Sequence, residues 1–206
     1  MYHQSVGDVT AFVLAGGKST RMGADKAFLE LGGRTLLART LELARSVAPE
    51  VRIVGGVSAK FAPFSNTVED VYRDRGPLGG IHAALATSKT ELNLMLAVDL
   101  PFVEARLLEY LIAQARASGA VVTVPRAAGG LQPLCAVYRR EFAAVAARSL
   151  QKGQNKIDAL FAQVETRVLG EKEIASLGLP ETMFQNLNTP DDWSAADQRL
   201  KARLRN

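Results

Sequence analysis

The chain has 206 residues, of which 48% are hydrophobic and 22% charged, values that suit one soluble domain with a sizeable core. Its 25 Lys and Arg against 21 Asp and Glu leave a net charge of +4, too weak an excess to argue for nucleic-acid binding. A single cysteine excludes an intramolecular disulfide and, with two histidines, leaves little for a His/Cys zinc site. No apolar run approaches the ~18 residues of a membrane span.

In chain order, residues 1–8 lack the regions of a signal peptide and are expected to be a flexible leader. One domain is then expected over 9–206, in a protein expected to be cytoplasmic. Val9 to Ala15 predicts a strand buried on both faces. Thr35 to Ala48 carries apolar residues at helical spacing, with Thr35 as N-cap and Pro49 closing the helix. Val51 to Val54 predicts a second strand, stopped by Gly55-Gly56, and Thr67 to Asp70 a shorter third. A Gly-Pro-rich loop, 76–80, leads into a helix over Ile81 to Ser88. Leu92 to Val98 is a further buried strand, and Glu104 to Ser118 a long amphipathic helix ended by Gly119.

Beyond it, Ala120 to Pro125 and Leu131 to Tyr138 read as strands around Ala127-Ala128-Gly129-Gly130, a hairpin or wide loop. Helices over Arg140 to Leu150 and Ile157 to Gln163 follow, then a late strand over Val164 to Leu169. Asn186-Leu187-Asn188-Thr189-Pro190 leads into a terminal helix. Alternation of strand and helix predicts an α/β fold, a mostly parallel sheet with helices on both faces.

Chemistry gathers where the first strand ends. Leu14-Ala15-Gly16-Gly17 turns into a cationic stretch holding Lys18, Arg21 and Lys26. A glycine turn after a buried strand presents backbone N–H groups to phosphate, and three cations suit an oligophosphate. Neither common phosphate motif fits. A P-loop needs glycine at position 12, which is Phe, and G-x-G-x-x-G fails because Gly16 and Gly17 are adjacent.

Asp99 ends another buried strand, a suitable place for a hard cation shared with phosphate oxygens, though Asp before Leu-Pro also serves turns. Asp70 directly follows a short apolar run and is preferred over Asp74. Cys135 lies in an apolar strand and reads as core. His3 and His82 read as solvated or structural, and no nucleophilic triad is evident.

These residues resemble a known family. Leu14-Ala15-Gly16-Gly17 with Arg21-Met22-Gly23 and Asp25-Lys26 is similar to the opening of Rossmann-like nucleotidyltransferases, in the form found in molybdenum cofactor guanylyltransferases. Gly76-Pro77-Leu78, Asp99-Leu100-Pro101-Phe102, Gln132-Pro133-Leu134 and Asn186-Leu187-Asn188-Thr189-Pro190 match in order, so the resemblance spans roughly Val9 to Trp193.

The resemblance implies a single-domain, three-layer α/β/α fold and transfer of GMP from GTP to the terminal phosphate of molybdenum-molybdopterin. It implies that Leu14 to Gly17 contact the nucleotide by main chain, Lys26 reaches its phosphates, Asp70 lies near guanosine and Asp99 binds Mg2+. Arg21, Lys26 and Asp99 are then the catalytic set, with Arg21 stabilising the transition state. Gly76, Pro77, Leu78 and Gly80 correspond to a loop that closes over the nucleotide, and Gln132, Asn186 and Asn188 to the pterin side. Transient contacts with proteins that supply or receive the cofactor belong to the same expectation.

One departure stands out. Relatives often place a nucleoside-contacting Asn at the end of the second strand, where this chain has Val54-Gly55-Gly56. The alternatives are the related cytidylyltransferase, whose opening tends to read LAAG, another nucleotidyltransferase of this fold, or a non-catalytic cofactor-binding partner. Gly16, lacking a methyl, favours the larger purine.

Overall fold

The computed structural model describes residues 7–16, 25–55, 61, 63, 66–69, 71–72, 75–187 and 189–203. The first strand, β1 (Val9–Leu14), lies inside the sheet with a paired strand on each side. Its side chains alternate between two cores. Val9, Ala11 and Val13 join one, and Phe12 and Leu14 the other. That two-sided burial is why the strand reads as a continuous apolar run.

A small hairpin follows, β2 (Glu30–Leu31) with β3 (Arg34–Thr35), which the apolar pattern after Ala27 does not announce because two-residue strands carry no period. Thr35 then caps α1 (Leu36–Val47), its hydroxyl accepting from the Ala38 N–H at 3.2 Å as expected. Strand β4 (Glu50–Val54) and β5 (Asn66–Val68) extend the sheet on one side, and α2 (Pro77–Thr87) returns the chain to β6 (Leu92–Ala97) on the other side of β1. Helix α3 (Ala105–Ser118) has Gly119 at φ 69°, the left-handed conformation that ends it.

The second half supplies β7 (Val122–Ala127), β8 (Gly130–Leu131), β9 (Cys135–Arg139), α4 (Phe142–Gln151), α5 (Asp158–Phe161), β10 (Thr166–Leu169), α6 (Glu171–Ser176) and α7 (Pro190–Arg203). The sheet order is β10-β7-β9-β6-β1-β4-β5, with β8 paired to β7. Pairings are parallel except those of β9 with β6 and β7, and of β8 with β7. Residues from α1, α3, α6 and α7 pack in one core, and from α2, α4 and α5 in the other, so the three-layer expectation holds.

Several boundaries differ from the expectations. Asp8, placed in the leader, is fixed by a two-pronged ion pair with Arg116 (2.6 and 3.1 Å). The strand predicted over Leu131 to Tyr138 is two pieces, because Pro133 lacks an N–H and the chain turns there, Cys135 N–H bonding Gln132 O at 3.0 Å. The helix predicted over Ile157 to Gln163 shrinks to the single turn of α5.

Candidate active site

The chain runs from β1 to β4 and β5 on one side, then crosses to β6 on the other. The carboxyl ends of β1 and β6 therefore form a topological switch point, where sheets of this kind bind ligands. Ala15 is the last residue held by the sheet, its N–H bonding Val54 O at 2.8 Å, while Val98 N–H bonds Leu14 O at 3.3 Å. Gly16 is exposed immediately beyond. Gly17, Lys18 and Arg21 lie outside the described residues.

The chain re-enters at Asp25, whose carboxylate accepts the Ala27 N–H at 3.3 Å and starts a 3-10 turn over Lys26–Phe28. Ala27 is fully buried and Phe28 stacks on Phe61 at 5.6 Å. These anchors set the direction of Lys26. Its Nζ lies 3.2 Å from Asp99 Oδ2, so two residues singled out separately in the sequence meet at the switch point.

Asp99 stands at the head of a turn secured by buried Leu100, Phe102 and Val103. Its backbone carbonyl accepts the N–H of Leu187 at 3.3 Å. Leu187 is fully buried, so the expected pterin-side segment is brought against the turn of Asp99, the expected metal ligand. Asn186 is exposed beside it, and Asn188 lies outside the described residues. Thr189 and Asp192 exchange N–H bonds (2.9 and 3.1 Å), a capping box that starts α7. The Asn-Thr-Pro run thus has a structural part as well.

Gln132 reaches the same rim, since Leu134 O accepts the Ala97 N–H of β6 at 2.8 Å. Its amide nitrogen donates to Ala127 O at 3.0 Å, bracing the β7–β8 hairpin. The segment expected as a closing loop is mostly helix. Gly76 takes φ 64° and Pro77 occupies the first helical position, so Pro77, Leu78 and Gly80 form the first turn of α2, with Leu78 and Gly80 buried. Pro77's preset φ starts the helix four residues before the predicted Ile81.

Asp70 and Asp74 lie outside the described residues. Burial lowers the His82 imidazole below its ordinary value, and its ring meets Tyr72 edge-on at 5.0 Å, consistent with a structural role. Burial pushes the Cys135 thiol up to about 12, which removes it as a nucleophile.

One feature of the site escaped the sequence. Gly55 has φ 137°, and a Cβ there would stand 2.3 Å from Gly16 N and 2.5 Å from Gly16 Cα. Gly55, read as part of a strand stop, is a close approach between the end of β4 and the Ala15–Gly16 turn. Its signal was the Gly-Gly pair itself, which marks such approaches as often as turns.

The profile of the MobA-like NTP transferase domain matches residues 11–168. The chain belongs to that family. It is 36% identical over 184 residues to a probable molybdenum cofactor guanylyltransferase of Pelotomaculum thermopropionicum, covering 89% of each chain. It is 33% identical over 196 residues to a molybdenum cofactor guanylyltransferase of Desulfosudis oleivorans, covering 94% of this chain and 96% of that one. Its fold matches the crystal structure of molybdopterin-guanine dinucleotide biosynthesis protein A from Archaeoglobus fulgidus with a TM-score of 0.83 at 24% identity, over 94% of this chain and 99% of that one. The family is that of nucleotidyltransferases, so the chain is a transferase. Among the described residues no helix is long and apolar enough to cross a membrane.

Proposed function

We propose that this protein transfers GMP from GTP to the terminal phosphate of molybdenum-carrying molybdopterin and releases pyrophosphate. The observation that carries the reading is the meeting of the Ala15–Gly16 loop, the Lys26–Asp99 pair and the Leu187 segment at one switch point. The named guanylyltransferase relatives point to the same substrates.

In this reading an oxygen of the acceptor phosphate attacks the α-phosphorus of GTP. The bond from that phosphorus to the bridging oxygen breaks, and pyrophosphate leaves. The main chain of Leu14 to Gly17 contacts the nucleotide, although the Ala15 N–H itself is held by Val54 O. Lys26 offsets charge on its phosphates, and Arg21 stabilises charge in the transition state. In this reading Asp70 serves the guanosine side, and the first turn of α2, from Gly76 to Gly80, borders the nucleotide. Gln132, Asn186 and Asn188 offer amide donors and acceptors to the pterin edge. The reaction belongs in the cytosol.

Asp99 fits a Mg2+ site on its own geometry. Its carboxylate is part-exposed at a strand end and already holds a cation, the Lys26 ammonium. Among the described residues no cluster of three His, Cys, Asp or Glu surrounds it, so substrate phosphates and water would complete the shell. Mg2+ held there would neutralise phosphate charge during transfer.

The test is pyrophosphate release with GTP or CTP, in magnesium, with molybdenum-molybdopterin as acceptor. GTP turnover is expected. Preference for CTP overturns the guanylyl assignment, and no release with either nucleotide favours a binding partner without catalysis.

A further inference from the structure

The segment that carries Asn186 is held from inside and from outside. Inside, Met183, Phe184 and Leu187 are buried in the same core as Phe102, three residues past Asp99. Leu187 N–H bonds Asp99 O at 3.3 Å. At Thr189 the capping box turns the chain into α7, whose Ala196 is buried and whose Trp193 and Leu200 pack on that core.

From α7, Arg199 reaches back to where the segment began. One guanidinium nitrogen donates to Thr182 Oγ1 at 2.6 Å and the other to Thr182 O at 3.4 Å. The guanidinium carbon lies over the Phe102 ring, 4.6 Å from its centroid. One planar cation thus touches both the start of the 182–189 segment and the Asp99 turn. A guanidinium suits this because it bonds through its edge and stacks through its face. A single arginine ties three parts of the chain: the Asp99 turn, the Asn186 segment and the helix that follows.

We infer that Arg199 is a positioning residue for the acceptor side of the cleft. It locks the Asn186 segment to the Asp99 turn, so that the acceptor is presented at a fixed distance from the nucleotide. The inference rests on the proposed two-substrate reading. Arg199 bonds Thr182 and stacks on Phe102, while Lys26 bonds Asp99, so its loss is expected to leave the Lys26–Asp99 pair and the Ala15–Gly16 loop in place.

The experiment compares Arg199→Ala, Thr182→Val and Thr182→Ser with the parent protein. Val keeps the volume of Thr182 and removes the hydroxyl, and Ser keeps the hydroxyl. Two readouts are taken: KM for molybdenum-molybdopterin against KM for GTP, and hydrogen exchange of the Leu187 amide. Arg199→Ala is expected to raise the acceptor KM roughly tenfold with GTP KM unchanged, since a displaced positioning group costs one to two decades. Thr182→Val is expected to shift it the same way by a smaller factor, and Thr182→Ser to restore parent values. Leu187 exchange is expected to quicken in Arg199→Ala, while amides of β1 and β6 keep their protection.

Equal rises in both KM values, or unchanged Leu187 exchange, overturn the inference and leave Arg199 a general stabiliser. Absence of turnover in the parent protein overturns the functional reading instead. The exchange measurement still decides the anchoring by Arg199 in that case.

Discussion

The Lys26 ammonium and the Asp99 carboxylate stand 3.2 Å apart although the residues are 73 positions apart in sequence. Each comes off a separate strand-end loop, and the switch between β1 and β6 brings them together. The pair is largely buried, with 15% and 28% of the two side chains exposed, so the cost of desolvating both charges offsets much of their attraction. Its net contribution to stability is about 1 kcal/mol. In the proposed mechanism its importance is chemical, because the cation assigned to phosphate and the acid assigned to metal share one point.

Replacing Lys26 by Gln or Asp99 by Asn is therefore expected to spare the fold and remove activity. Each change should lower kcat by roughly 10²–10³-fold, the usual effect of losing one charge that stabilises a transition state. Lys26→Gln should also weaken GTP binding, and Asp99→Asn should raise the magnesium needed for half-maximal rate. Pyrophosphate release and thermal melts check this. Retained pyrophosphate release in Asp99→Ala would remove the metal assignment.

Gly55 is expected to tolerate no side chain. A Cβ would stand 2.3 Å from Gly16 N, and φ 137° is itself costly for an L-residue. Gly55→Ala should cost about 2 kcal/mol or more in denaturant unfolding and should raise the Kd for GTP. A variant with parent stability and parent GTP affinity would show that the loop is not seated on β4.

Ala128 offers a stabilising change. With Gly129 it forms the two-residue turn between β7 and β8, at φ 51° and 76°, both in the left-handed region. That turn type prefers Asn or Gly at its first position, because an alanine Cβ crowds the carbonyl there. Ala128→Asn should add about 0.5–1 kcal/mol, read as a rise in denaturant midpoint at unchanged slope. A lower midpoint would count against the assigned turn.

Cys135 gives the pH prediction. Burial raises its thiol to about 12, against about 8.5 in an unfolded chain. Below the unfolded value both states keep the proton and the group is neutral for stability. Between about 8.5 and 12 only the unfolded chain loses it, so this contribution to stability falls as pH rises. Cys135→Ser removes that titration but buries a hydroxyl, so Cys135→Ala is the better control. Its stability should fall less steeply with alkaline pH. The native thiol should also resist iodoacetamide until the protein is unfolded, and rapid labelling of the folded protein would contradict the burial.

Much of the fold was legible because local patterns are strong where burial is complete. The two-sided apolar runs of β1 and β6, the Thr35 cap and Gly119 each follow from residue chemistry that acts within a few positions. Short pieces were illegible. The β2–β3 hairpin, α6 and the 3-10 turn over Glu181–Phe184 are too brief for a period to declare itself. Helix α2 starts early because Pro77 outweighs the loop tendency of its glycines once Leu78 is buried.

For the site, the sequence alone determined which chemistry was available: a glycine turn with cations, an aspartate at a strand end, and amides in the later segments. Motif order along the chain also carried the family resemblance. Only the tertiary structure decided how those pieces meet. Strand order placed Lys26 on Asp99, a backbone bond from Leu187 joined the Asn186 segment to the same turn, and Gly55 proved to be a seat for Gly16. These are contacts between residues far apart in sequence, set by sheet topology and packing, so no local pattern encodes them.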